Sequence, residues 1–120
     1  MNIPQDKLNQ AKDIITRAAK EKGRVWYSEL YSAIGLDYTN PGDRQLGANI
    51  LGTISRESNT KDGVMLSAIV NGKTDGDPAD GFYELAQQLG RLSPRASDEE
   101  KLTFWVEEFR RVHSLYDTTA

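Results

Sequence analysis

The sequence predicts a mainly α fold with a small antiparallel β-sheet, winged helix-turn-helix-like, with an added C-terminal helix. Three observations predict it. Apolar residues recur at helical spacing in several segments, and caps and glycines bound these segments. Two apolar runs, at Val25 and from Val64 to Val70, have the length of strands. The order is helix, short strand, helix, helix, strand, loop, helix, helix. Its first six members follow a winged helix, in which the loop after the second strand is the wing.

The first helix is expected from Pro4 to Lys22. Proline suits a first helical turn, where its missing N–H has no intrahelical partner to lose. Leu8, Ala11, Ile14, Ile15 and Ala18 form one stripe, and Gly23 stops the helix. Arg24, Val25 and Trp26 leave room for one short strand. Tyr27 and Ser28 lead into a short helix from Glu29 to Ile34, closed by Gly35. Asn40-Pro41 is the clearest start signal in the chain, with an N-cap, a proline at N1 and Asp43 in the first turn. The third helix is expected from Pro41 to about Ser58. At 100° per residue, Leu46, Gly47, Ile50, Leu51 and Ile54 share one side. Arg44, Gln45, Ala48, Asn49, Gly52, Ser55 and Arg56 share the other.

Residues 59–63 read as a turn, and Val64 to Val70 as a strand buried on both faces. Asn71-Gly72 is a turn signal, and the stretch from Gly72 to Asp80 is the most loop-like in the chain. Asp80 is expected to cap a helix from Gly81 to Leu89, which Gly90 closes. After a linker with Pro94, Ser97 and Glu100 form a capping box for a last helix from Asp98 to about Tyr116. Leu102, Trp105, Val106, Phe109 and Val112 are its expected apolar stripe. That helix is expected to pack on the first helix or the sheet, or to pair with a second copy. The chain is read as a single domain over residues 1–120, a monomer or a homodimer. The expected core comprises Leu8, Ile15, Val25, Leu30, Ile34, Leu46, Ile50, Ile54, Leu66, Ile69, Phe82, Leu85, Trp105 and Phe109.

Composition removes several function classes. The 120 residues include no cysteine, which excludes disulfides, thiolate metal sites and a cysteine nucleophile. No apolar run approaches the roughly 18 residues of a membrane span, and the N-terminus does not read as a signal peptide. A cytoplasmic location without membrane contact is expected. His113 is the one histidine, and it reads as a surface or half-buried side chain. No nucleophile elbow, P-loop or dinucleotide motif occurs. Asp75, Asp77 and Asp80 hint at a calcium loop. Counted from Asp75, however, the sixth position is Asp80 rather than glycine and the twelfth is Ala86 rather than glutamate. No catalytic residue, metal or cofactor is expected.

Charge is uneven. The net charge is −3, with residues 1–73 at +2 and residues 74–120 at −5. Phosphate contacts are therefore expected from the first part. Arg44, Gln45, Asn49 and Arg56 surround the small Ala48 and Gly52 on the third helix. Arg, Asn and Gln are the side chains that pair with base edges, and the second helix of a helix-turn-helix carries them. Lys73 in the loop and Arg24 after the first helix are expected to reach phosphates. The alternative is a protein-interaction module, or a small inhibitor, acting through an acidic C-terminal surface with Phe104, Glu107 and Glu108.

One resemblance covers residues 62–116. The run from Gly63 to Val70 leads through Pro78 and Gly81-Phe82-Tyr83-Glu84-Leu85-Ala86 to Phe104-Trp105. It resembles a small winged-helix-like domain of unassigned function in bacterial and phage proteins. The resemblance implies a bacterial or mobile-element origin and carries over no catalytic residue.

Overall fold

The computed structural model describes residues 3–72 and 76–116. Among these residues the elements are α1 (Gln5–Lys20), β1 (Val25–Trp26), α2 (Tyr27–Ala33), α3 (Pro41–Asp62), a 3-10 turn (Leu66–Ile69), β2 (Val70–Asn71), α4 (Asp80–Gln88) and α5 (Asp98–Leu115). The fold is mainly helical with a small sheet. No helix among the described residues is long and apolar enough to cross a membrane.

The sheet corrects the sequence reading. β1 and β2 pair in parallel, with Val25 opposite Val70 and Trp26 opposite Asn71. Antiparallel strands can be joined by a tight turn, whereas parallel strands need a long crossover. Here α2 and α3 are that crossover, and they return the chain to run alongside β1. After β2 the chain does turn: the Gly76 N–H donates to the Gly72 carbonyl at 2.8 Å, and the Gly72 N–H to the Asp77 carbonyl at 2.8 Å. No third strand follows among the described residues.

Local signals decide most helix ends. The Asn40 side chain accepts the Asp43 N–H at 3.0 Å and starts α3. At the start of α5, Ser97 Oγ accepts the Glu100 N–H at 3.1 Å and Glu100 Oε1 accepts the Ser97 N–H at 3.3 Å. α3 outruns its expected end by one turn and stops at Gly63, whose φ of 71° is left-handed. Asn59, expected in a turn, instead accepts Arg91 Nη1 at 2.8 Å from within the helix. α4 lacks the expected cap. Asp80 is its first residue and Ala79 its N-cap, with no side-chain bond there.

The expected strand from Val64 to Val70 is mostly something else. All seven residues are buried, and the Leu66–Ile69 turn packs against α1, α3 and α5. A segment walled in by helices has no strand to satisfy its backbone, so side chains must do so. Ser58 Oγ accepts the Leu66 N–H at 3.1 Å and donates to the Val64 carbonyl at 2.7 Å. Ser55 Oγ accepts the Ser67 N–H at 2.9 Å. A Glu108 oxygen accepts the Met65 N–H at 2.7 Å, and Trp105 Nε1 donates to the Ala68 carbonyl at 2.9 Å.

The buried apolar residues form one cluster in which Ile15, Leu30, Ile50, Ile54, Met65 and Ile69 are fully enclosed. Of the expected core, Leu46, Trp105 and Phe109 are only partly buried. α5 packs on α1 and the 3-10 turn, but it is rotated from the expected stripe. Leu102 is 50% exposed and Val106 37%, while Glu108 is 1% exposed. Glu108 therefore does not belong to an acidic surface. A carboxylate occupies the middle of the inward face, so the apolar residues beside it are turned outward.

Candidate functional site

The polar side of α3 lines a groove of about 680 Å³ whose opposite wall is α4. On α3, Arg44, Gln45, Asn49 and Arg56 face it, with Ala48 and Gly52 between them. Glu84 and Gln88 of α4 look across from the other side, and Tyr38 stands on the α2–α3 connection. Tyr27, Tyr31, Ser67 and Phe82, all buried, lie deepest.

Close packing of α2 on α3 sets this geometry. A Cβ on Gly47 would lie 2.2 Å from Tyr31 Cζ, so only glycine lets the ring in. Tyr31 Oη then donates to the Arg44 carbonyl at 3.1 Å. Tyr38 meets the Tyr31 ring edge-on, with centroids 5.1 Å apart and planes at 77°. Its loop is held by Asp37, whose side chain accepts the Thr39 N–H at 2.9 Å and the Thr39 hydroxyl at 2.7 Å. Those bonds hold the Asp37 carboxyl below its ordinary pKa. The Asp37 N–H in turn donates to Asp43 at 2.8 Å. Tyr38 is thus presented on a braced turn, 45% exposed.

Across the groove, Arg56 Nη2 donates to Gln88 Oε1 at 2.6 Å and ties the two walls together. Gln45 Nε2 donates to Asn49 Oδ1 at 3.1 Å. Tyr27 Oη accepts the Ala79 N–H at 2.6 Å and anchors the approach to α4. Burial pushes the Tyr27 and Tyr31 hydroxyls up to about 12, so both stay protonated at neutral pH. Tyr83 is also raised, by burial first and then by Asp77 and Asp80.

The groove therefore holds amides, hydroxyls and two guanidinium groups, with the Glu84 carboxylate on its α4 wall. His113 is elsewhere, with its Nε2 2.8 Å from the Gly23 carbonyl and its ring edge-on to Phe109. No group of three potential metal ligands occurs among the described residues.

Four of the six residues chosen from sequence as nucleic-acid contacts, Arg44, Gln45, Asn49 and Arg56, meet in this groove. Arg24 does not join them. Its guanidinium lies 5.4 Å from the Trp26 ring and 5.0 Å from the Phe109 ring, above a shallow hollow formed with Trp105 and Arg110. Lys73 and Asp75 lie outside the described residues. Of the alternative set, Glu107 is exposed and Phe104 is half-buried, with its ring centroid 5.9 Å from that of Phe82. Sequence reasoning missed Tyr38 and Gln88. An aromatic between Asp37 and Asn40 in a polar connection was a readable signal for Tyr38. Gln88 had none, because its role depends on where α4 docks.

Compared with family models, with curated proteins and with solved structures, the chain matches none.

Proposed function

We propose that this chain is a non-catalytic nucleic-acid-binding module that meets DNA through the polar face of α3. In this reading α3 carries the contact residues, and α2 positions it through the close approach of Tyr31 to Gly47. The observation that supports it is the meeting of Arg44, Gln45, Asn49 and Arg56 on one accessible wall. Their chemistry suits both partners in a nucleic acid: guanidinium for phosphate, amide for base edges. A cytoplasmic setting and a bacterial or phage origin belong to the same reading. The experiment is fluorescence anisotropy with single-stranded and duplex DNA at low and moderate salt. Binding should weaken steeply with salt. Arg44→Ala and Asn49→Ala should each weaken it by about 1–3 kcal/mol while the fold is kept. Absence of binding at low salt, or unchanged affinity in both variants, would overturn the reading.

A second reading, protein contact through α5, is favoured by the exposed Leu102 and Val106. The occupant proposed is a second copy. Glu99 and Arg110 are both exposed and lie eleven residues, or about three turns, apart on one line of the helix. A two-fold antiparallel pair sets each Glu99 against the other copy's Arg110. Sedimentation velocity should then give a dimer that Val106→Glu dissociates. A monomer at high concentration would refute it.

A further inference from the structure

We infer that the α3–α4 groove takes a single strand of nucleic acid in extended form, with one base stacked on Tyr38. This rests on the nucleic-acid reading above and specifies the form of the ligand.

The groove's concavity is the first argument. A helix that reads duplex DNA must project, because it has to lie within a major groove about 12 Å wide. The polar face of α3 is a wall, with α4 facing it and the Arg56–Gln88 bond joining the two sides at 2.6 Å. An extended strand fits between such walls, whereas a duplex edge meets α4.

Tyr38 supplies the second argument. Single strands bind without a fixed sequence by stacking bases on aromatic rings along a positively charged track. Tyr38 is 45% exposed at the groove, and the Asp37–Thr39 bonds together with Tyr31 hold it in place. A ring already ordered loses little freedom when a base lands on it.

The third argument is the placement of charge. Arg44 and Arg56 are both exposed and lie twelve residues apart on α3, about 18 Å along the helix axis. Between them Ala48 and Gly52 keep the wall low, and a Cβ added at Gly52 meets nothing within 4 Å. Phosphates therefore run along α3 between the two arginines. Glu84 on the opposite wall repels phosphate and accepts hydrogen bonds from base N–H groups, the thymine N3–H among them, which turns the bases toward α4.

The test uses anisotropy at low salt with three labelled probes: a twelve-nucleotide oligothymidine, the same strand paired with oligodeoxyadenosine, and a twelve-residue oligoglutamate peptide. The single strand should bind more tightly than the duplex. Tyr38→Ala should weaken that binding at least ~5-fold, the smallest loss expected for one stack. Tyr38→Phe, which keeps the ring, should bind like the parent. Gly52→Leu, which fills the groove from an open helical position, should weaken strand binding while thermal unfolding shows the fold at least as stable as the parent; it also carries the test if Tyr38→Ala does not fold. Duplex binding as tight as strand binding, with neither Tyr38→Ala nor Gly52→Leu having an effect, overturns the single-strand inference and leaves DNA binding standing. Loss of both nucleic-acid probes overturns both, and binding of the peptide alone assigns the groove to an acidic protein segment.

Discussion

At the scale of single residues, two glycines on α3 have opposite roles. Gly47 faces Tyr31 at a distance no side chain tolerates, while Gly52 faces open space. Gly47→Ala should therefore destabilise the fold by about 1–2 kcal/mol, since the overpacking cost outweighs the gain in helix propensity. Gly52→Ala should stabilise it by roughly 0.5–1 kcal/mol. Urea unfolding of the pair checks this, and equal effects would refute the assigned packing. Tyrosine ionisation provides a second test. Tyr27 and Tyr31 have pKa values raised to about 12, mainly by burial. A group raised on folding contributes stability that is fully present below its unfolded value near 10. That stability is lost as pH climbs through 12. Stability should hold up to about pH 10 and then fall, by up to about 3 kcal/mol per tyrosine. Tyr27→Phe should remove part of this slope in unfolding curves recorded between pH 9 and 12.

At the scale of elements, the stretch from Val64 to Val70 contains the most instructive discrepancy. Its backbone is bonded by Ser55 and Ser58 of α3 and by Trp105 and Glu108 of α5. Ser58→Ala leaves the Leu66 N–H and the Val64 carbonyl without their partner and should cost about 1–3 kcal/mol. A loss below 0.5 kcal/mol in denaturant unfolding would mean the serine is not needed. Apolar pattern correctly announced a buried segment here, but pattern carries no information about which groups satisfy a buried backbone. The elements set by local chemistry were legible: the Asn40 start of α3, the Ser97 box of α5 and the stripe of α1. What depended on docking was not, including the parallel pairing of β1 with β2 and the rotation of α5. The candidate site divides the same way. Spacing placed Arg44, Gln45, Asn49 and Arg56 on one face, and only tertiary structure turned that face into a groove by setting Tyr38 and α4 around it.

At the scale of the whole molecule, one carboxylate joins distant parts of the chain. Glu108 on α5 accepts Arg91 Nη1 at 3.0 Å and Nη2 at 2.7 Å, Arg111 Nη1 at 3.0 Å and the Met65 N–H at 2.7 Å. Arg91, just beyond α4, also donates to Asn59 of α3 and lies 5.6 Å from the Phe104 ring centroid. Arg111 donates to the Gly63 carbonyl at 2.9 Å, beside the end of α3. Removing one partner of a buried ion pair costs far more than the pair contributes, because the other charge stays buried without compensation. Glu108→Ala should thus cost about 3–5 kcal/mol, a large share of the 5–15 kcal/mol typical of a domain. Arg91 is partly solvated, which favours the lower end of that range. Glu107→Ala, one residue away and exposed, should stay within about 0.5 kcal/mol. The loss at Glu108 should persist in high salt, since buried pairs are screened far less than surface ones. A double-mutant cycle with Arg91→Ala isolates the pair: the double variant should be less destabilised than the sum of the two single changes. Simple additivity would mean that the carboxylate acts mainly through Arg111 and the Met65 N–H. In that case Glu108 would hold α5 to the segment around Gly63 and Met65, at the end of α3, rather than to the α4 end through Arg91.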